Sequence, residues 1–208
     1  MWKWLRLLLL IVLPIEGKAL GQAAIVWDGP TITFTKSASG NGTQPADQDR
    51  LTGQVWLTRA TLYGLFNAKT ETNYTHYSSP AGTEWSYGSL ANYSSLSYTN
   101  WEGWNGHQPP SMVGRDAVVH LIAENIYLSI RFISWDIGTG GFSYQRSTPR
   151  PRPALTLSKS GNNYVLTYTG TLQSAITVNG TYADVTGASS PYTIPTGAAS
   201  MRFYRASN

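Results

Sequence analysis

Residues 126–135 read Ile-Tyr-Leu-Ser-Ile-Arg-Phe-Ile-Ser-Trp. Successive side chains of a β-strand point to opposite faces, so apolar residues at every second position mark a half-buried strand. Here Ile126, Leu128, Ile130 and Phe132 share one face, and Tyr127, Ser129, Arg131, Ile133 and Trp135 the other. The preceding run, 117–123, is apolar and rich in β-branched residues. The short polar link Glu124-Asn125 makes the two runs an antiparallel hairpin. Glycines between 138 and 141 turn the chain again, and 142–146 alternates as a third strand. Three successive strands with no helical period commit this region to an antiparallel sheet.

Composition fits an exported chain. Charged residues make up 12% of the 208, about half the usual share of a soluble domain. Residues 1–21 have the layout of a secretory signal: Lys3 and Arg6, an apolar run over 7–15, and a small-x-small site at Ala19-Leu20-Gly21. The run is too short to span a bilayer. The mature chain is therefore expected outside the cell with no membrane partner. Removing that segment takes away Lys3, Arg6, Lys18 and Glu16, leaving 12 basic against 10 acidic residues. No basic stripe remains to track phosphates, so nucleic acid is not an expected partner. The absence of cysteine excludes disulfides, thiolate metal sites and a cysteine nucleophile.

The rest of the chain repeats the β signal. Ala24-Ile-Val-Trp27 precedes a turn at Asp28-Gly29-Pro30, and Thr31-Ile-Thr-Phe-Thr35 alternates with Ile32 and Phe34 expected inside. Short strands are expected at 54–59 and 62–66. Residues 73–106 hold eight Tyr and Trp rings among Ser, Gly, Asn and Thr, as expected of long loops over a β scaffold. Pro149, Pro151 and Pro153 stiffen a linker over 149–153. Beyond it, 154–208 offers short strands separated by Gly161-Asn-Asn163, Asn179-Gly180 and Ser190-Pro191. Asn-Gly is the preferred pair for a type I′ hairpin turn. The layout expected is a signal over 1–21, a β-sandwich domain over 22–148, and a small β module over 154–208. The fold class is all-β: an antiparallel, jelly-roll-like sandwich followed by an immunoglobulin-like module.

Three segments carry a resemblance: Pro45-Ala-Asp-Gln-Asp-Arg-Leu-Thr52, Gly64-Leu-Phe-Asn-Ala68, and 119–135 continued by Gly140-Gly-Phe-Ser-Tyr-Gln-Arg-Ser147. Together they resemble an uncharacterised domain recurrent in exported bacterial β proteins, over about 24–148. Val178-Asn-Gly-Thr-Tyr, Asp184-Val-Thr-Gly-Ala and Arg202-Phe-Tyr-Arg205 resemble a short C-terminal β module of secreted planctomycete- or verrucomicrobe-like proteins. The resemblances imply an exported, bacterial, all-β protein and assign no site.

Catalytic motifs are missing: there is no Gly-x-Ser-x-Gly, no His-Glu-x-x-His and no phosphate-cradling glycine loop. Glu71, Glu84, Glu102 and Asp136 are candidates for a glycosidic carboxylate pair, or are solvated loop charges. His76, His107 and His120 are scattered. His76, beside Tyr74 and Tyr77, could join Tyr and Arg in β-elimination of a polysaccharide, whereas His120 reads as a structural histidine in an apolar strand. Asp47 and Asp49 could supply oxygens to Ca2+, or cap turns and pair with Arg50. The aromatic loops read either as the core of a domain short of aliphatics or as a sugar platform, with rings stacking on pyranose faces. On the second reading the ligand contacts are Trp85, Tyr87, Trp101 and Trp104, with Tyr77 and Glu84. The function expected is non-enzymatic recognition, with a polysaccharide or cell-surface glycan as partner and no cofactor beyond Ca2+. A secreted polysaccharide-degrading enzyme and a subunit of an extracellular assembly are the alternatives.

Overall fold

The structure, a computed structural model, describes residues 22–38, 40–195 and 201–208. The signal sequence expected over 1–21 lies outside them. The architecture is all-β, built of antiparallel sheets that do not close into a barrel, and it belongs to the sandwich class that the alternation implies. The described residues divide into two compact units, 22–27 with 31–147, and 28–30 with 148–208.

The first unit contains β1 (Ile25–Trp27), β2 (Thr31–Lys36), β3 (Asp49–Arg50), β4 (Trp56–Arg59), β5 (Leu65–Asn67), β6 (Thr83–Tyr87), the one-turn helix α1 (Trp101–Trp104), β7 (Asp116–Leu121), β8 (Ile126–Trp135) and β9 (Phe142–Ser147). Its main sheet runs β2-β9-β8-β7-β6, with β1 lying parallel to the start of β8; β3-β4-β5 form the second sheet. The expected hairpin is β7–β8, with Ala117 opposite Ile130 and Leu121 opposite Ile126. Asn125 closes its turn at φ 48°, a left-handed conformation that Asn tolerates better than most residues.

Ile126, Leu128, Ile130 and Phe132 are all buried, as their alternation requires. They pack with Leu57 and Leu65 of the second sheet and with Trp85, Trp101, Trp104 and Met112. Complete burial of an aliphatic side chain of this kind stabilises by about 1.5–3 kcal/mol. Two expectations fail here. Trp135 was placed with Tyr127 and Arg131, but it packs on the core side against Phe132, Phe142 and Trp101. The register shifts between Phe132 and Ser134, where β8 carries one residue more than β9. That bulge moves Trp135 to the other face. Ile32, expected inside, is 42% exposed because β2 is the edge of the sheet.

A buried ion pair joins the two sheets. Arg146 on β9 donates from Nε and Nη2 to the Asp49 carboxylate on β3, at 2.6 and 2.8 Å. The Tyr144 hydroxyl donates to the same carboxylate at 2.7 Å. Burial, and then the carboxylate at its hydroxyl, push the Tyr144 phenol pKa well up. Asp49 is thus committed to Arg146 and Tyr144 rather than open to a cation, while Asp47 accepts from the Asn41 N–H at 2.7 Å. Arg50, the partner expected for these carboxylates, bonds Gln48 and lies over the Trp56 ring.

The second unit contains β10 (Leu155–Ser160), β11 (Asn163–Tyr168), β12 (Thr171–Ala175), β13 (Ala183–Asp184), β14 (Tyr192–Thr193) and β15 (Phe203–Ser207). They form two three-stranded sheets, β10-β11-β14 and β13-β12-β15, around Leu166, Tyr168 and Leu172. Gly161 turns the β10–β11 hairpin at φ 59°. The type I′ turn expected at Asn179-Gly180 does not form, since neither residue has a positive φ. β12 and β13 pair only as far as Ser174 opposite Ala183, so residues 175–182 form a longer connection and no two-residue turn is imposed at 179–180.

Removing one partner of a buried ion pair leaves a charge stranded, at about 3–5 kcal/mol. Asp49→Ala is expected to lower the unfolding free energy in urea by that order, and a change below about 1 kcal/mol would contradict the assignment.

Candidate functional site

Helix α1 explains why the tryptophans are not a rim. The Asn100 side chain caps it, accepting from the Gly103 N–H at 2.8 Å. Trp101 and Trp104, three residues apart, share one helical face, and that face is turned inward. Trp85, Trp101 and Trp104 are 0%, 0% and 7% exposed, which corrects their expected role as sugar platforms. Trp85 lies 5.3 Å from Trp104 and donates its N–H to Thr83. Tyr87 packs on Trp104 at 4.5 Å, with the Arg115 guanidinium over its ring. Glu84 is also engaged: it bonds His120 Nδ1 at 2.7 Å, while His120 Nε2 meets Asn125 and the imidazole stacks on Tyr127 at 4.1 Å. This is the structural role expected of His120. Among the expected ligand residues, Tyr77 stands out in solvent at 74% exposure.

The chemistry gathers elsewhere, in a cleft of about 590 Å³ lined by Arg59, Tyr63, Tyr74, Trp101, Glu102 and His107, among others. At its centre is the buried Glu102, carried on α1. The Tyr74 hydroxyl and the Tyr77 backbone N–H both donate to its Oε2. Its Oε1 faces His107 Nδ1 at 3.3 Å and His76 Nδ1 at 3.8 Å. Burial alone would raise the carboxyl pKa, but the bonds from Tyr74, Tyr77 and His107 outweigh it and hold Glu102 below the usual carboxylate range. Burial and the adjoining carboxylate push the Tyr74 phenol up.

Backbone strain concentrates here. Among the described residues, four non-glycines have left-handed φ: Tyr63 (75°), Tyr77 (59°), His107 (60°) and Asn125 (48°). Asn125 serves the hairpin; the other three surround Glu102. Each such residue costs about 1–3 kcal/mol and persists only where its surroundings hold it. Gly64 is needed for closeness: a Cβ there would lie 2.4 Å from the Trp101 ring and 2.6 Å from Tyr74.

Two cations are buried near each other, and one of them, Arg59, lines this cleft. Arg59, 2% exposed, donates to the carbonyls of Asp136 and Gly141 and stacks on Trp135 at 3.7 Å. Among the described residues its Nε has no hydrogen-bond partner. Lys36, 1% exposed, donates to the Gly140 carbonyl. Burial lowers both pKa values, that of Arg59 to about 10, and the two charges repel. Among the described residues neither has a carboxylate within ion-pair distance. Asp47 and Asp136 act on them only from farther off.

The other candidate carboxylates hold structure. Glu71 accepts from the Asn67 and Ala81 N–H groups, and Asp136 accepts from Thr139. Among the described residues no group of three or more His, Asp or Glu is arranged to hold a metal ion. A larger groove, of about 710 Å³, opens in the second unit; its walls are mainly aliphatic and aromatic, with Arg202 the charged residue among them. Comparison with protein-family models, with curated proteins and with solved structures finds no match for the chain.

The low pKa of Glu102 sets an acid-range dependence. A carboxyl whose folded-state pKa is depressed stabilises the fold above its unfolded value of about 4.3, and the contribution is lost as pH falls through the folded value. The stability advantage of the wild type over Glu102→Gln in urea is therefore expected to be full at neutral pH and to shrink below about pH 4. A difference independent of pH would show that Glu102 is not ionised in the fold.

Proposed function

We propose that the protein is exported and recognises carbohydrate, holding a sugar chain in the cleft around Glu102. The observation that carries this reading is the composition of the cleft. Exposed Tyr63, Leu62 and Ile137 stand in its walls, and Glu102, His76 and His107 supply a few convergent polar groups. Apolar walls with sparse, fixed polar groups are the pattern of a small-molecule site. A tyrosine face covers the C–H face of a pyranose, while carboxylate and imidazole bond its hydroxyls. The signal-like segment over 1–21 and the low charge of the chain support export. On this reading the ligand contacts are Tyr63, His76 and His107 of the cleft rather than the interior tryptophans.

A glycan array probed with the mature protein should identify the bound sugars. In an affinity gel containing a bound polymer, Tyr63→Ala is expected to weaken retention by about tenfold or more, equivalent to ~1.4 kcal/mol. Its thermal unfolding should stay near that of the wild type. Trp101→Ala should instead unfold the domain, since deleting a buried Trp costs about 3–5 kcal/mol. Unchanged retention by the Tyr63 variant would sink the assignment of this cleft.

A further inference from the structure

The geometry points to a chemical step in this cleft: β-elimination of a uronic-acid-containing polysaccharide, with His107 as the base. The inference rests on the glycan recognition proposed for the same cleft.

Glu102 is built to hold a histidine. Its Oε2 is taken by Tyr74 and the Tyr77 N–H, which leaves Oε1 to His107 Nδ1 at 3.3 Å. A neutral imidazole donates from one nitrogen and accepts at the other. With Nδ1–H turned to the carboxylate, the lone pair lies on Nε2, and His107 is half exposed in the cleft. Carboxylate, imidazole and open cleft in series are the arrangement of a positioned general base. Tyr77 and His107, which both serve Glu102, are held in left-handed backbone conformations. Such strain persists where the surroundings enforce it and gathers at functional sites.

The charge balance names the substrate class. Arg59 lines the cleft, with Lys36 near enough to repel it, and among the described residues both are buried with carbonyls as their only hydrogen-bond partners. Buried charges are ordinarily paired. A uronate carboxylate bound in the cleft lies in the field of Arg59, which among the described residues has no carboxylate within ion-pair distance. The same positive field then stabilises the charge that develops on that carboxylate as its neighbouring carbon loses a proton.

The step balances without water or an oxidant. His107 Nε2 takes the proton from C5, α to the carboxylate. The C5–H electron pair becomes the C4=C5 double bond. The C4–O bond to the neighbouring sugar breaks, and its oxygen leaves with the electron pair. The Tyr63 phenol, exposed in the cleft wall, protonates that oxygen and recovers its proton from the His107 imidazolium through solvent. One product carries an unsaturated uronate and the other a new reducing end.

The test incubates the full mature chain with polygalacturonate, alginate and hyaluronan separately. It follows the ultraviolet absorbance of the C4=C5 bond conjugated with the carboxylate, and measures retention on each polymer by affinity gel. Unsaturated product is expected from at least one retained polymer. His107→Asn, which tolerates the left-handed backbone, should lower kcat by about a hundredfold or more, a far larger effect than on retention. Tyr63→Phe should lower kcat with the fold intact. Glu102→Gln, which alters the group that positions His107, should lower kcat by far more than it raises KM. Retention without unsaturated product overturns the elimination and leaves recognition standing, as do new reducing ends without the absorbance. Undiminished turnover by His107→Asn overturns the role of His107. Retention of no glycan overturns both readings.

Discussion

The bulge at Ile133 is the constraint on which the cleft depends. A strict two-residue period would carry Trp135 to the solvent face of β8. One extra residue opposite Tyr144 and Ser143 sends it inward instead. There its indole meets Trp101, supports the Arg59 guanidinium and abuts Phe142. A bulge re-aims a side chain without breaking the sheet on either side. Without it, the buried cation would lose its aromatic cover and Trp101 would lose a neighbour.

The aromatic rings form a continuous path through the sandwich. Tyr87 touches Trp104, Trp104 touches Trp85, and both approach Phe132; Trp135 and Trp101 lead on to Tyr74 in the cleft. Large rings supply the buried area that sparse aliphatics do not. They also make a rigid floor, because interiors pack at the density of organic crystals. The floor holds Glu102 and the strained loops around it at fixed distances. The buried Asp49–Arg146 pair has a different role: it fixes the second sheet against β9, and so fixes β4, which carries Arg59.

The hairpin over 117–135 was legible because its signal is local. The strands of the second unit were legible for the same reason, though their ends moved by a few residues. The errors arose where tertiary contact overrode a local rule. The Asn179-Gly180 pair lies in a connection too long for a two-residue turn, because β12 and β13 pair no closer than Ser174 opposite Ala183. Ile32 lost its cover because β2 is an edge. The tryptophans were misplaced although the spacing of Trp101 and Trp104 already put both on one face of a helical turn. His107 looked isolated although Glu102 stands only five residues before it, because the other groups around that carboxylate, Tyr74 and Tyr77, come from a separate loop.

Sequence alone determined the all-β class and the central strands, because backbone period and residue chemistry act over a few neighbouring positions. Tertiary structure decided which rings are core and which charges are buried. It also decided which carboxylate meets which histidine. Tyr74 reaches Glu102 across 28 residues, and Arg59 reaches Asp136 across 77. Contacts at such separations follow from how two sheets pack on each other, and no local pattern in the chain records that packing.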